Sequence, residues 1–266
     1  PIRNEGIRGE MTSRGRRTFL VVSGLALLYA GFRIVPGLVR EDLVFEEIDD
    51  PVGFRRLTAG KSSAGFDPFF GLEDQTENNH ADAESRVRRN ICTTLYGDAL
   101  GSGEDVPVAS FSDYYCPYCR VQTKRLAAME ARPGSGIRIA WHELPLLGET
   151  STLAAKAALA ARNQGAYPAF HERLMKSPFQ ATPEYLQALA DDIEIDHERL
   201  TADMNGERVL LDLENSAALA RIFDFIGTPA MVIGRTVIQG EISERSIQDL
   251  VERERAEGWA SVCRQT

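Results

Sequence analysis

Two thiols three positions apart are the residues of this chain best suited to chemistry. They belong to a CxxC motif of four consecutive residues: Cys116, Pro117, Tyr118 and Cys119. An apolar, β-prone stretch at 106–111 precedes the motif, and residues 120–129 follow it with apolar side chains at helical spacing. The motif is therefore predicted at a strand-to-helix turn, where the positive end of the helix dipole stabilises a thiolate. Cys116, the more exposed cysteine of such a pair, is the expected nucleophile, and Cys119 the resolving thiol.

Other uses of a CxxC motif fit this chain less well. A structural zinc site needs four ligands, but Cys92 and Cys263 are isolated and no paired histidines accompany them, so no metal is expected. Haem attachment needs histidine after the second cysteine, where this chain has Arg120. A static structural disulfide within the motif is an alternative, but that bond would close a very short, strained loop. Reversible redox chemistry without a cofactor fits best.

A second motif lies far along the chain, where Thr228 and Pro229 stand between a helical and an apolar stretch. Apolar residues at helical spacing predict an amphipathic helix: Leu219, Ile222, Phe223 and Ile226. Gly227 is expected to cap this helix, and the run after Pro229 to form a buried strand. Only about one X-Pro bond in twenty is cis, so this dipeptide alone indicates no more than a turn.

The two motifs together resemble the DsbA-like thiol:disulfide oxidoreductases of the thioredoxin superfamily. The resemblance rests on the segment from Phe111 to Cys119 and on Gly227 to Ala230, and it covers roughly residues 92–258. It implies an α/β, thioredoxin-like fold with a helical insertion. It also implies that Pro229 is cis and lies against the cysteines, and that Thr228 offers backbone hydrogen bonds to an extended substrate segment.

The residues between the motifs favour the same fold. Residues 137–144 alternate as a strand does, and four helices are predicted after them, two of which begin at the N-caps Thr182 and Asp196. We place the helical insertion at about 150–215, within a domain at 91–266. Glutaredoxins can also carry Cys-Pro-Tyr-Cys, but their chains lack such an insertion.

One position departs from the family pattern. Related proteins often bury a carboxylate six residues before the nucleophile, and this chain has Ser110 there. Asp113 and Glu143 lie in neighbouring segments, and either carboxylate could take the place of the missing one. We nevertheless expect each to be a solvated loop acid. His142 is expected to be a satisfied histidine at a strand end rather than a catalytic one.

Residues 1–33 are predicted to hold an export signal or a membrane anchor. Met11 is a sensible start, and an apolar run at 18–30 follows three basic residues: Arg14, Arg16 and Arg17. The arginine pair resembles a twin-arginine signal, although basic signals of the general secretory route contain such pairs by chance. Leu28 is a poor residue for cleavage after position 30, so an uncleaved anchor stays open. The expected compartment is the periplasm.

Residues 34–90 are acidic and polar, and they are predicted to form a tether or irregular arm. A dimerisation segment, as in the isomerase branch of the family, is the alternative. In an oxidising compartment the even number of cysteines favours a structural disulfide between Cys92 and Cys263, against two unrelated thiols.

The net charge of −9 argues against nucleic acid as a partner. The expected partners are exported proteins, unfolded or partly folded, which could dock on Tyr114, Tyr115 and Tyr118. Ordinary packing is the alternative for Tyr114 or Tyr115.

The resulting hypothesis is a periplasmic enzyme that introduces disulfides into exported proteins and is reoxidised by a membrane redox partner, quinone-linked by family resemblance. Two alternatives stay open. One is a reductase or isomerase that keeps Cys116 reduced, and the other is a chaperone-like or metal-resistance module with secondary redox activity.

Overall fold

The computed structural model describes residues 43–58, 76–101, 105–176 and 178–263. The predicted signal or anchor at 1–33 lies outside these residues. Among the helices that are described, none is long and apolar enough to span a bilayer.

The described strands form one six-stranded sheet in the order β1-β2-β6-β5-β3-β4. Their bounds are Phe45–Glu47 (β1), Arg55–Thr58 (β2), Val106–Ser112 (β3), Ile137–Glu143 (β4), Ala230–Ile233 (β5) and Thr236–Gln239 (β6). β3 pairs in parallel with β4 and antiparallel with β5, and all seven of its residues are buried. The apolar, β-prone stretch at 106–111 predicted this strand, although two of its seven buried residues are serines.

Helices pack around this sheet. They are Thr76–Arg89 (α1), Ile91–Tyr96 (α2), Pro117–Glu130 (α3), Glu149–Arg162 (α4), Tyr167–Lys176 (α5), Pro183–Asp192 (α6), His197–Asp203 (α7), Glu207–Ile222 (α8), Glu244–Glu257 (α9) and Ala260–Cys263 (α10). Helices α4 to α8 form the insertion between β4 and β5. The side chains of Thr182 and Asp196 accept N–H groups at the starts of α6 and α7, as N-caps do.

The prediction of an irregular arm at 34–90 is wrong for the part that the structure describes. β2 extends the sheet by pairing in parallel with β6, and β1 pairs with β2. Leu57 is buried, and so is Arg55, whose guanidinium donates to Glu254 and Glu257 at 2.6 Å each. A buried charge is tolerated because these carboxylates of α9 satisfy it. Charged residues that suggested solvent exposure therefore pair inside the domain.

Helix α1 also lies in the predicted arm, and one of its charged residues also pairs within the domain. From residue 80 to its end, the helix buries Ala83 and Val87 fully, while Arg86 forms an ion pair with Glu214 of α8 at 2.7 Å. Its apolar stripe is narrow, so the helical period was hard to detect in the sequence.

The amphipathic helix before the second motif ends earlier than predicted. α8 ends at Ile222, and Phe223 rather than Gly227 is its C-cap. Asp224 takes a left-handed φ of 49°, a conformation that aspartate tolerates, so the chain turns before it reaches the glycine. Ile226 is consequently 67% exposed instead of lying on the buried face of a helix.

Candidate redox-active site

The CxxC motif lies at the junction of β3 and α3. Cys116 is the N-cap of α3, and its Sγ accepts a hydrogen bond from the N–H of Cys119 at 3.2 Å. Pro117 occupies the first helical position, where its missing N–H costs nothing, and it is exposed. A sulfur at a helix N-cap receives N–H groups that favour its thiolate form.

Strand pairing brings the second motif to the cysteines. Phe111 of β3 is opposite Ala230 of β5, which places the residue before Ala230 beside the start of α3. The peptide bond between Thr228 and Pro229 is cis. The thiol of Cys116 donates to the carbonyl of Thr228 at 3.3 Å, so the two distant motifs meet at one sulfur atom.

Both active-site thiols are buried. Cys116 and Cys119 are each 0% exposed and both are in the thiol form, so the expectation that Cys116 is the more exposed of the two is wrong for this structure. The Sγ of Cys116 faces the carbonyl of Thr228 instead of solvent. Burial, and then the hydrogen bond and charge of Cys116, raise the pKa of Cys119 well above its ordinary value. Cys119 thus holds its proton more strongly than an ordinary thiol.

Asp113 is not the solvated loop acid that the sequence suggested. Its side chain is buried, and Oδ1 accepts from the N–H of Tyr115 at 2.8 Å and from Ser151 Oγ at 2.7 Å. Oδ2 accepts from the N–H groups of Leu146 and Leu147. Burial raises the pKa of Asp113, and these four hydrogen bonds oppose that rise. The carboxylate ties the turn before Cys116 to the loop after β4 and to α4.

The same correction applies to Glu143. Its side chain is buried, and Oε1 accepts hydrogen bonds from the hydroxyls of Tyr114 and Tyr167 at 2.6 Å each. His171 Nδ1 lies 3.3 Å from the same oxygen. Burial, followed by the charge of Glu143, raises the pKa of both tyrosines well above the ordinary value. The sequence offered no signal for this cluster, because β4 and α5 meet only in the folded chain.

The three tyrosines near the thiols have different surroundings. Tyr114 is buried in the Glu143 cluster, so the predicted docking role is wrong for it. Tyr115 is half-buried, its hydroxyl accepts from the N–H of Ala181, and its ring lies 5.3 Å from that of Phe179. Tyr118 is half-buried and follows the exposed start of α3.

His142 is satisfied, as expected for a strand-end histidine. Nε2 lies 2.8 Å from the carbonyl of Leu95 and Nδ1 lies 3.3 Å from Ser216 Oγ. Burial lowers the pKa of His142 to about 4, so the ring is neutral at pH 7. It connects β4 to α2 and α8.

The remaining two cysteines form a disulfide in the structure. Cys92 of α2 and Cys263 of α10 are bonded, with their Cα atoms 5.4 Å apart and a sequence separation of 171. Within the described ranges, no group of three or more histidine, cysteine or acidic side chains could hold a metal ion.

A dithiol at a helix N-terminus, beside a cis-proline loop and under a helical insertion, defines a thiol–disulfide oxidoreductase of the thioredoxin fold. Residues 107–252 match the DSBA-like thioredoxin domain family. A thioredoxin-like oxidoreductase from Silicibacter pomeroyi DSS-3 is 36% identical, with 62% of this chain and 97% of that chain covered and a TM-score of 0.56. The chain therefore belongs to the DSBA-like thioredoxin domain family. This confirms the predicted DsbA-like relationship, the thioredoxin-like fold with a helical insertion, and the prediction of an oxidoreductase.

Two further structures are similar. The catalytic domain of Proteus mirabilis ScsC is 25% identical, with 65% of this chain and 98% of that chain covered and a TM-score of 0.54. The thiol-disulfide exchange protein alpha-DsbA2 from Wolbachia pipientis is 20% identical, with 67% and 99% covered and a TM-score of 0.55, and shows the fold alone.

The curated relatives that match are much longer proteins. The Na(+)/H(+) antiporter NhaA 1 of Salinispora arenicola is 27% identical over 130 residues, which is 48% of this chain and 20% of that protein. The NhaA 3 antiporter of Salinispora tropica is 26% identical over the same shares. The chain spans about a fifth of the length of these relatives.

Proposed function

We propose that this protein introduces disulfides into exported proteins through Cys116 and Cys119. The observation that carries the proposal is the position of Cys116 Sγ, which caps α3, accepts the N–H of Cys119 and lies beside the cis-proline loop. Hydrogen bonds and a helix dipole that stabilise the thiolate favour the reduced protein. A stabilised reduced form makes the disulfide form a strong oxidant.

The reaction begins with the Cys116–Cys119 disulfide. A substrate thiolate attacks Cys116 Sγ, the disulfide breaks, and its electron pair passes to Cys119 Sγ, which takes up a proton. The raised pKa of Cys119 favours that protonation and slows its return attack. A second substrate thiolate then attacks the substrate sulfur of the mixed disulfide, and Cys116 leaves as a thiolate. The substrate has lost two electrons and the protein has gained them.

Thr228 and Pro229 are the proposed substrate-binding residues. The Thr228 carbonyl lies 3.3 Å from Cys116 Sγ, so a segment that reaches the sulfur passes along this loop. An extended segment could form backbone hydrogen bonds there, as in strand addition. Pro117 and Tyr118, at the accessible start of α3, would border the same path.

The compartment and partners in this proposal follow from the sequence. A basic stretch followed by the apolar run at 18–30 supports export to the periplasm or an anchor on its membrane. The reduced protein needs an electron acceptor to act again, and a membrane redox partner would supply it.

The reduction potential of the CxxC pair tests this proposal. The full chain is equilibrated in glutathione buffers, the thiols are trapped by alkylation and the masses are measured. A Cys92→Ser/Cys263→Ser variant serves as the control, so that only the CxxC thiols are counted. A value near the −120 mV of a strong dithiol oxidant, to within about 30 mV, supports the proposal, whereas one near about −270 mV would indicate a reductase.

A second assay separates the isomerase and binding alternatives. An isomerase would rearrange a scrambled disulfide substrate faster than it oxidises a reduced one. A binding module would retain its clients after Cys116→Ser. We expect oxidation to dominate and the serine variant to be inactive.

A further inference from the structure

Arg120 follows the resolving cysteine and folds back over the active-site turn. It lies in the first part of α3 and is half-buried. Its Nη2 donates to the carbonyl of Tyr114 at 2.7 Å, two residues before Cys116. The guanidinium is thus held at the end of the helix that carries both thiols.

An aromatic cluster from the helical insertion supports this guanidinium. The Cζ atom of Arg120 lies 5.9 Å from the centroid of the Phe179 ring. The centroid of that ring is 5.3 Å from the Tyr115 ring and 5.2 Å from the Tyr185 ring. The hydroxyl of Tyr115 accepts from the N–H of Ala181, which fixes the loop between α5 and α6 against the active-site turn. The insertion therefore helps to determine where the positive charge of Arg120 lies.

The charge of Arg120 is coupled to the thiols. Burial lowers the pKa of Arg120, and the negative charges of Tyr115, Cys116, Tyr185 and Cys119 oppose that change. Such coupling is mutual, so a cation that a thiolate stabilises also stabilises the thiolate. A guanidinium keeps its proton in proteins, and this charge is therefore permanent.

Two further facts show what this cation adds. Within residues 113–120, Arg120 is the single basic side chain, and the ionisable groups around it are acidic: Asp113, Tyr114, Tyr115, Cys116, Tyr118 and Cys119. Its Nη1 is buried and has no hydrogen-bond partner among the described residues. A donor with no partner in a buried site is stabilised when a negative charge forms nearby.

We propose that Arg120 stabilises the Cys116 thiolate, and that the aromatic cluster of the helical insertion positions Arg120 for this role. Arg120 acts on the thiolate through its charge, while Phe179 is a positioning residue. The inference deepens the proposed function and depends on it for the direction of electron flow alone, because the thiolate is stabilised whichever way the reaction runs.

The first test measures the pKa of Cys116 in a Cys119→Ser background, from the ultraviolet absorbance of the thiolate against pH. The disulfide between Cys92 and Cys263 does not titrate and so does not interfere. Arg120→Met should raise the Cys116 pKa by about 0.5–1 unit, as expected for one charge in a partly screened site. Lys124→Met is the matched control, since Lys124 is an exposed cation on the same helix, and it should leave the pKa unchanged.

Two other variants separate charge from hydrogen bonding. Arg120→Gln keeps a donor for the Tyr114 carbonyl but has no charge, and it should behave as Arg120→Met does. Arg120→Lys keeps the charge and should retain most of the stabilisation. A wild-type Cys116 pKa in Arg120→Gln would mean that the hydrogen bond acts instead of the charge, and would overturn the proposal.

The second test uses the glutathione equilibrium of the full chain with both active-site cysteines. Arg120→Met should shift the constant three- to tenfold toward the disulfide form, which corresponds to about 14–30 mV. Phe179→Leu keeps the charge but removes the aromatic face, and should give a smaller shift in the same direction.

Equal constants for Arg120→Met and Lys124→Met would refute the role of Arg120. Failure of the proposed function would look different, because the absolute potential of the unaltered chain would then lie in the reductase range while the difference between variants persisted. Thermal unfolding of each variant checks that the fold is intact.

Discussion

The two cysteine pairs of this protein differ in chemistry although all four sulfurs are buried. Cys92 and Cys263 are 171 residues apart in sequence and are joined in a disulfide between two helices. Cys116 and Cys119 share the start of α3 and are in the thiol form. Burial alone therefore does not separate the free pair from the bonded one. The difference lies in the backbone around each sulfur.

Backbone groups converge on one pair. The sulfur of Cys116 accepts an N–H from the first turn of a 14-residue helix and donates to the carbonyl of Thr228. Cys92, in contrast, lies within the short helix α2 among buried apolar neighbours such as Ile91 and Leu95. The first setting can stabilise either charge state of a thiol, whereas the second suits a permanent cross-link.

Replacing the proposed nucleophile should have the largest effect. Cys116→Ser should reduce the oxidation of a reduced peptide at least about 10³-fold, since no thiolate remains to form the mixed disulfide. Cys119→Ser is the matched control, because it keeps the nucleophile and should accumulate a mixed disulfide that mass spectrometry detects. Substantial activity in Cys116→Ser would mean that the other pair takes part, and the contrast between the pairs would fail.

Removing the other pair should affect stability instead. In the chain-entropy description, opening a loop of 171 residues lowers the free energy of unfolding by up to about 5 kcal/mol. We expect Cys92→Ser/Cys263→Ser to show this loss in urea unfolding and to keep its glutathione equilibrium constant. A changed constant at unchanged stability would reverse the roles of the two pairs.

The sequence was sufficient for the parts of the fold that local patterns encode. These parts depend on residues near each other in the chain: the apolar stretch of β3, the N-caps Thr182 and Asp196, and the order of the motifs around the insertion. The CxxC motif and the Thr228-Pro229 step are likewise recognisable as candidate site residues, because their residue types are distinctive; their roles stay predictions.

Buried charges could not be predicted in the same way. Asp113 and Glu143 were expected to be solvated, and Arg55 lay in the predicted irregular arm, because nothing near them in sequence satisfies a charge. Their partners come from other elements, such as the loop after β4 for Asp113 and helix α9 for Arg55. Arg120 was passed over for the same reason, since its aromatic neighbours lie in the insertion.

A pH-dependent loss of stability is expected from His142, which lies outside both cysteine pairs and connects β4 to α2 and α8. The pKa of His142 is lowered to about 4, below the usual value of about 6.5, so the unfolded chain binds the proton more readily. Stability is therefore present above about pH 6.5 and is lost as the pH falls toward 4, by up to about 3 kcal/mol. Urea unfolding across this range should show the loss, and His142→Asn should flatten it.

His197 provides the control for this measurement. Its side chain is 36% exposed and its hydrogen bond with Asp191 raises its pKa, so His197→Asn should not flatten the loss of stability on acidification. If both variants behaved alike, the loss would come from carboxylates and not from the contact between β4 and α2.

A smaller effect is expected at a residue that is close to Cys116 in sequence but is held by the Glu143 cluster. Tyr114 precedes Cys116 by two residues, yet its hydroxyl is committed to Glu143. Tyr114→Phe removes a hydrogen bond to the buried carboxylate of Glu143 and should cost about 1–2 kcal/mol of stability. The cost is limited because the hydroxyl of Tyr167 still donates to that carboxylate. The glutathione equilibrium constant should not change.

Tyr115→Phe is the matched comparison, because it removes a hydroxyl that accepts from a neutral N–H at Ala181. This substitution should cost less stability, about 0.5–1.5 kcal/mol, because the group that loses its partner is a neutral N–H and not a charged carboxylate. A larger cost for Tyr115→Phe, or a shifted redox equilibrium in Tyr114→Phe, would place the Glu143 cluster with the redox site. Nearness in sequence to Cys116 would then matter more than the hydrogen bonds that each side chain makes.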